Sequence, residues 1–105
     1  MNQPEEWTNQ RIALLRSHVQ EWKDKAVRET QARNELVAEQ QVEKDNLRPK
    51  ANAVKWAHCL TGQAQRLTDL ASANLQRTQL LRMRQQQETD DLEALIQAKG
   101  LKTGE

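Results

Sequence analysis

The chain has no phenylalanine and no tyrosine, and only one cysteine. Between Glu5 and Lys99 it has one proline, Pro49, and one glycine, Gly62. Leu, Ile, Val and Phe together supply 20 of the 105 residues, too few for the compact core on which a helical domain of this length normally draws. The lone Cys59 excludes an internal disulfide. A net charge of +1 lacks the basic excess of nucleic-acid and anionic-membrane binders. No apolar run approaches the length of a membrane span. The opening Met-Asn-Gln-Pro-Glu-Glu lacks the basic and apolar regions of a signal peptide, so a cytosolic or cytoskeletal location is expected.

What remains is almost entirely helix-forming Gln, Glu, Lys, Arg, Leu and Ala. An all-α chain is predicted, with two long helices over about 4–46 and 50–99, a hinge near Pro49 and a possible break at Gly62. Pro4, Glu5 and Glu6 suit a first turn, since proline has no N–H to leave unpaired and acids favour the positive end of the helix dipole. Arg48 precedes a proline and is driven from helical angles, whereas Pro49 can open the second helix. Gly100 suits the left-handed position after a helix, with Leu101 packing back on Ile96. The chain divides into an N-terminal helix, 1–48, and a C-terminal helical segment, 49–105, with no independent globular domain. Poor in core, it is expected to be extended and to take its stability from a partner.

Ile12, Leu15, Val19, Trp22 and Ala26 recur at spacings of three and four along one stripe. The same register then delivers Glu29, Arg33, Leu36, Gln40 and Glu43, so no continuous apolar face follows. This part is expected to fray or to be held at points such as Leu36 and Val37. In the second helix a heptad register aligns Ala57, Ala64 and Ala71 at one seam position and Leu60, Leu67, Leu81 and Leu95 at the other, interrupted by Asn74 and Glu88.

His58 and Cys59 are adjacent potential ligands, but neighbours on a helix diverge by about 100° and His18 lies on the other helix, so no metal site is predicted. The same divergence defeats a Cys–His dyad. Glu88, Asp90, Asp91 and Glu93 form a solvated acidic run and no glycine-rich phosphate loop exists, so no catalytic residue, cofactor or small-molecule substrate is expected. Trp7, Trp22 and Trp56 admit two readings. Trp22 and Trp56 pack together across a hairpin, or the indoles anchor the chain in pockets of another protein. Arg66, Arg77, Arg82 and Arg84 form a basic stretch suited to a solvated face or an acidic protein surface. The adjoining acids disfavour nucleic acid, and no aromatic platform is interleaved for single strands.

Three segments carry a resemblance. Trp56, His58-Cys59-Leu60 and Gly62-Gln63 form the first, and Gln79-Leu80-Leu81-Arg82-Met83-Arg84 the second. Glu88, Leu92, Ile96 and Gly100, followed by Leu101, form a tail spaced by four. Together, over about the second half of the chain, they resemble the small microtubule inner proteins of cilia and flagella. Leu92 stands where that tail motif carries Tyr, Leu95 where a Glu is usual, and the first forty residues show no match.

The resemblance implies a non-enzymatic, mostly helical chain in the cytoskeleton of the axoneme, lying on the luminal wall of doublet microtubules and bound to tubulin and neighbouring inner proteins. The expected anchors are Trp7, Trp22, Trp56, Cys59 and Leu60, with Arg77, Arg82 and Arg84 as charge partners for tubulin carboxylates. The alternatives are a coiled-coil or helical-hairpin subunit of a cytosolic tethering or trafficking assembly, and a regulatory helix that lies in a partner's groove.

Overall fold

A computed structural model describes residues 3–103, with side chains over 5–100. Two helices account for nearly all of it: α1, Gln3–Leu47, and α2, Ala53–Thr103. No strand occurs among the described residues. Their persistence without a large core has a local cause. Six glutamines donate to a carboxylate one turn on: Gln20 to Asp24, Gln31 to Glu35, Gln41 to Asp45, Gln65 to Asp69, Gln86 to Asp90 and Gln87 to Asp91, at 2.7–3.2 Å. Each such pair stabilises a helix by about 0.2–0.5 kcal/mol.

The connection differs in detail from expectation. Arg48 N–H still donates to Lys44 C=O, and Lys50 N–H closes a tight turn onto Leu47 C=O. Pro49 therefore belongs to the turn and does not open α2. Asn52 does the capping: its Oδ1 accepts the Lys55 N–H at 2.9 Å, satisfying a donor that a helix start otherwise leaves orphaned. α2 then runs unbroken through Gly62, which has no positive φ. Gly100 also lies inside the helix, without a left-handed angle, and α2 continues to Thr103. The site of Gly100 is instead a close approach: a Cβ there would lie 3.7 Å from the Trp7 ring. The expected packing of Leu101 falls outside the described side chains.

Packing divides the chain into two units that cut across both helices. One pairs the start of α1, up to Asp24, with α2 from Thr78 onward; the other is the hairpin Lys25–Arg77. In each unit the helices run antiparallel, and the inward positions follow an 11-residue rhythm. On α1 they are Trp7, Gln10, Leu14, His18, Glu21, Lys25, Glu29, Ala32, Leu36, Gln40, Glu43 and Leu47. On α2 the series Trp56, Cys59, Gln63, Leu67, Leu70 and Asn74 repeats the 3-4-4 spacing and continues through Thr78, Leu81, Gln85, Thr89, Leu92, Ile96 and Gly100. Eleven residues in three turns, about 3.67 per turn, keep these positions on one face within each unit, a period slightly longer than the 3.6 of an ideal helix where a heptad is slightly shorter.

The heptad prediction is therefore corrected. Ala57, Ala64, Ala71, Leu60 and Leu95 are exposed, whereas Leu67 and Leu81 do lie on the seam, Asn74 joins them there, and Glu88 is half-buried at its edge. The later part of α1 is not frayed, because Glu29, Leu36, Gln40 and Glu43 are the seam itself, while Val37 faces outward. Most of the deeply buried side chains are polar: His18, Lys25, Gln40, Gln63 and Gln85, with Ile96 the buried hydrophobe. Burial without bonding would cost these groups too much, so each has partners. In the hairpin unit Gln40 Nε2 donates to Gln63 C=O, and Gln63 Nε2 donates to Gln40 C=O, both at 2.9 Å. In the other unit Gln85 Nε2 donates to His18 C=O at 3.2 Å.

Candidate partner-docking surface

Polar groups share the seam with Leu14, Leu36, Leu67, Leu81, Leu92 and Ile96, and a second set of apolar side chains lies outside it. Of the α1 stripe, Ile12, Leu15 and Val19 are 41%, 63% and 44% exposed, Ala26 is also exposed, and Trp22 alone is half-buried. Leu60, Leu75, Leu80, Met83 and Leu95 are likewise exposed on α2. Single exposed aliphatics need no explanation, but a run at spacings of three and four on one helix face does.

The tryptophans are held by their own units. Trp22 Nε1–H donates to Gln85 Oε1 at 2.8 Å, and the Arg82 guanidinium lies 5.9 Å from its ring centroid. Trp56 is covered by Arg48 at 5.7 Å. Trp7 lies over Gly100, and all three indoles are half-buried. They mould the surface, each keeping an outer part available for contact.

The arginines are more fully engaged than the sequence suggests. Arg77 donates to Asn74 Oδ1 at 2.9 Å and Arg82 stacks on Trp22. Arg84 reaches Glu88 at 3.0 Å and also pairs with Glu21 across the unit. Arg84 thus has less charge to offer a partner than its place in the basic stretch implied. Arg11 forms a two-point pair with Glu93 at 2.7 and 2.8 Å. The carboxyl groups of Glu21, Glu43 and Glu93 lie below the ordinary glutamate range, in each case first because an arginine (Arg84, Arg66 and Arg11 respectively) donates to the charged form.

His18 Nε2 meets Glu88 Oε1 at 2.9 Å, and His18, Glu21 and Glu88 each bring one ligand atom within 4.8 Å of the others. Sequence spacing missed this convergence because Glu88 comes from the facing helix. Arg84 donates to both carboxylates and so already supplies the positive charge that a metal ion would otherwise bring to the cluster.

In the hairpin unit a groove of 980 Å³ opens beside the turn. Leu47, Val54, Cys59 and Gly62 contribute its apolar side, with Glu43 and Arg66 paired at 2.8 Å on its edge. Cys59 and Gly62 thus come together with the end of α1, whereas Leu60, one residue on, does not line the groove. Sequence reasoning missed Leu47 and Val54 as its companions, because only the turn brings the two helix ends together.

No family profile, curated protein or solved structure matches the chain. No helix among the described residues is long and apolar enough to cross a membrane.

Proposed function

We propose that this protein is a structural, non-enzymatic element that docks on the luminal wall of axonemal doublet microtubules, contacting tubulin and neighbouring inner proteins and stabilising the lattice. The observation that carries docking is the outward apolar stripe Ile12, Leu15 and Val19, left in water while His18, Gln40, Gln63 and Gln85 are buried. A helix pair that buries glutamines and displays aliphatics loses apolar surface to water when another protein covers it, at about 25 cal/mol per Å². The choice of tubulin rests on the resemblance of the Trp56–Gln63 and Gln79–Arg84 segments and the Glu88–Gly100 tail to small microtubule inner proteins. Arg82, exposed beside Trp22, supplies a positive charge close to the stripe for acidic groups.

The test replaces Leu15 and Val19 together with glutamate in the full chain and follows its incorporation into doublets. Because both residues are exposed in the free protein, the variant should melt within a few degrees of the wild type while its retention on salt-extracted doublets falls by about tenfold or more. Recovery of wild-type protein wholly in the salt-soluble fraction of axonemes would refute the luminal location.

A further inference from the structure

A glycine inside a helix is destabilising by about 1 kcal/mol relative to alanine. The internal packing of the protein gives Gly62 no compensating role. Its backbone has no positive φ, and a methyl group built on it meets nothing within 4 Å. What the missing side chain does is lower the wall of the groove where Leu47, Val54 and Cys59 meet. The same end of the hairpin is positively charged: Lys44, Arg48, Lys50 and Lys55 stand against Asp45, while Glu43 and Arg66 neutralise each other. None of those four cations forms an ion pair among the described residues, and Arg48 spends one face of its guanidinium on Trp56.

We propose that this groove is a docking site for an acidic amphipathic helix of a partner protein, its backbone approaching closest at Gly62 and its carboxylates meeting Lys50 and Lys55. The apolar floor calls for aliphatic side chains on one face of the partner helix, and the basic rim for glutamate or aspartate beside them. A symmetric pairing with a second copy is disfavoured, since it would bring one cationic end against another. Nucleic acid is disfavoured because the floor is mostly aliphatic and the single ring among its lining residues, the His58 imidazole, makes no platform for successive bases. The proposal deepens the docking function above by naming a site and a partner chemistry, and its test does not depend on microtubules.

The test uses the full-length chain and a fluorescein-labelled helical peptide with leucines at i, i+4 and glutamates flanking them, read by fluorescence anisotropy. Gly62→Ala and then Gly62→Leu should raise the melting temperature by a few degrees, because both are better helix formers. The same substitutions should weaken peptide binding in graded fashion, reaching about tenfold for leucine. Lys50→Glu with Lys55→Glu should weaken binding further and flatten its salt dependence. Equal binding by the wild type and Gly62→Leu overturns the proposal, as does failure of the wild type to bind the peptide. A concentration-dependent increase in sedimenting mass without peptide, or tighter binding of an oligouridylate than of the peptide, overturns it in favour of self-association or nucleic acid. Loss of doublet retention with peptide binding intact would count against the microtubule location alone.

Discussion

Gln40 and Gln63, 4% and 3% exposed, are the residues on which the hairpin unit's register turns. Each amide donates to the other residue's backbone carbonyl, so the pair is satisfied only when the two helices meet at this level. Removing one partner and removing both should therefore have opposite consequences. Gln63→Ala removes the amide that donates to Gln40 C=O and opens a gap beside the Gln40 amide, which keeps its bond to the backbone carbonyl at 63, and should destabilise the chain by about 1–3 kcal/mol. Replacing both by leucine removes both buried amides and should be near neutral or stabilising, at some loss of register. Urea unfolding of the single and double variants measures the difference, and a double-leucine variant less stable than Gln63→Ala would disprove this account. A hydropathy pattern cannot reveal this pair, because glutamine scores as a surface residue until its partner is known. Trp22 shows the same limit: its place on the apolar stripe was readable, but not its bond to Gln85 sixty-three residues away.

At the scale of the elements, two long helices joined near Pro49 follow directly from the scarcity of proline and glycine. Their ends were legible to within a few residues, α1 stopping at Leu47 and α2 starting at Ala53. The seam was not legible, since a heptad template awards the inside to leucine and alanine, while the helices turn in an 11-residue series that includes Gln63, Asn74 and Gln85.

The antiparallel pairs are then trimmed by ion pairs whose acid members titrate low. Glu21, Glu43 and Glu93 have folded-state pKa values depressed below their unfolded ones. Each therefore adds stability that is present above the unfolded glutamate range, about 4.3, and is lost as pH falls through the lower folded value. Helicity melts monitored by circular dichroism should shift to lower temperature between pH 6 and pH 3. The shift should shrink when Glu21, Glu43 and Glu93 are all replaced by glutamine. Because Glu21 and Glu43 are only half-buried and Glu93 is exposed, solvent screens all three pairs, and the effect should be modest and smaller still in high salt.

For the whole molecule the decisive quantity is where apolar area goes. Most folded chains of this length bury a majority of it; here, among the described residues, Ile96 is the buried hydrophobe, seam leucines such as Leu36 and Leu67 are half-buried, and Leu15, Val19, Leu80 and Met83 remain in water. Such a molecule should be helical yet marginal by itself. The isolated chain is expected to show strong helical dichroism, a broad melt of low cooperativity, and a midpoint independent of protein concentration. A sharp, concentration-dependent transition would point to a self-associating coiled coil and weaken the case for a docking partner. Bound to the partner proposed above, the chain should melt higher, since a ligand for the folded state stabilises it by mass action.

Sequence alone determined that this protein is helical, interrupted once, and too poor in large apolar residues to depend on a core, because helix propensity and composition are local properties. It also marked Cys59, Gly62 and the three tryptophans as worth locating. Only tertiary structure decided that Ile12, Leu15 and Val19 face out while His18, Gln40, Gln63 and Gln85 face in. It alone assembled Leu47, Val54, Cys59 and Gly62 into one groove. The physical reason is that a polar side chain is stable inside only if a partner completes its hydrogen bonds. For Gln40 and Gln63 that partner lies twenty-three residues away, on the helix that returns after the turn.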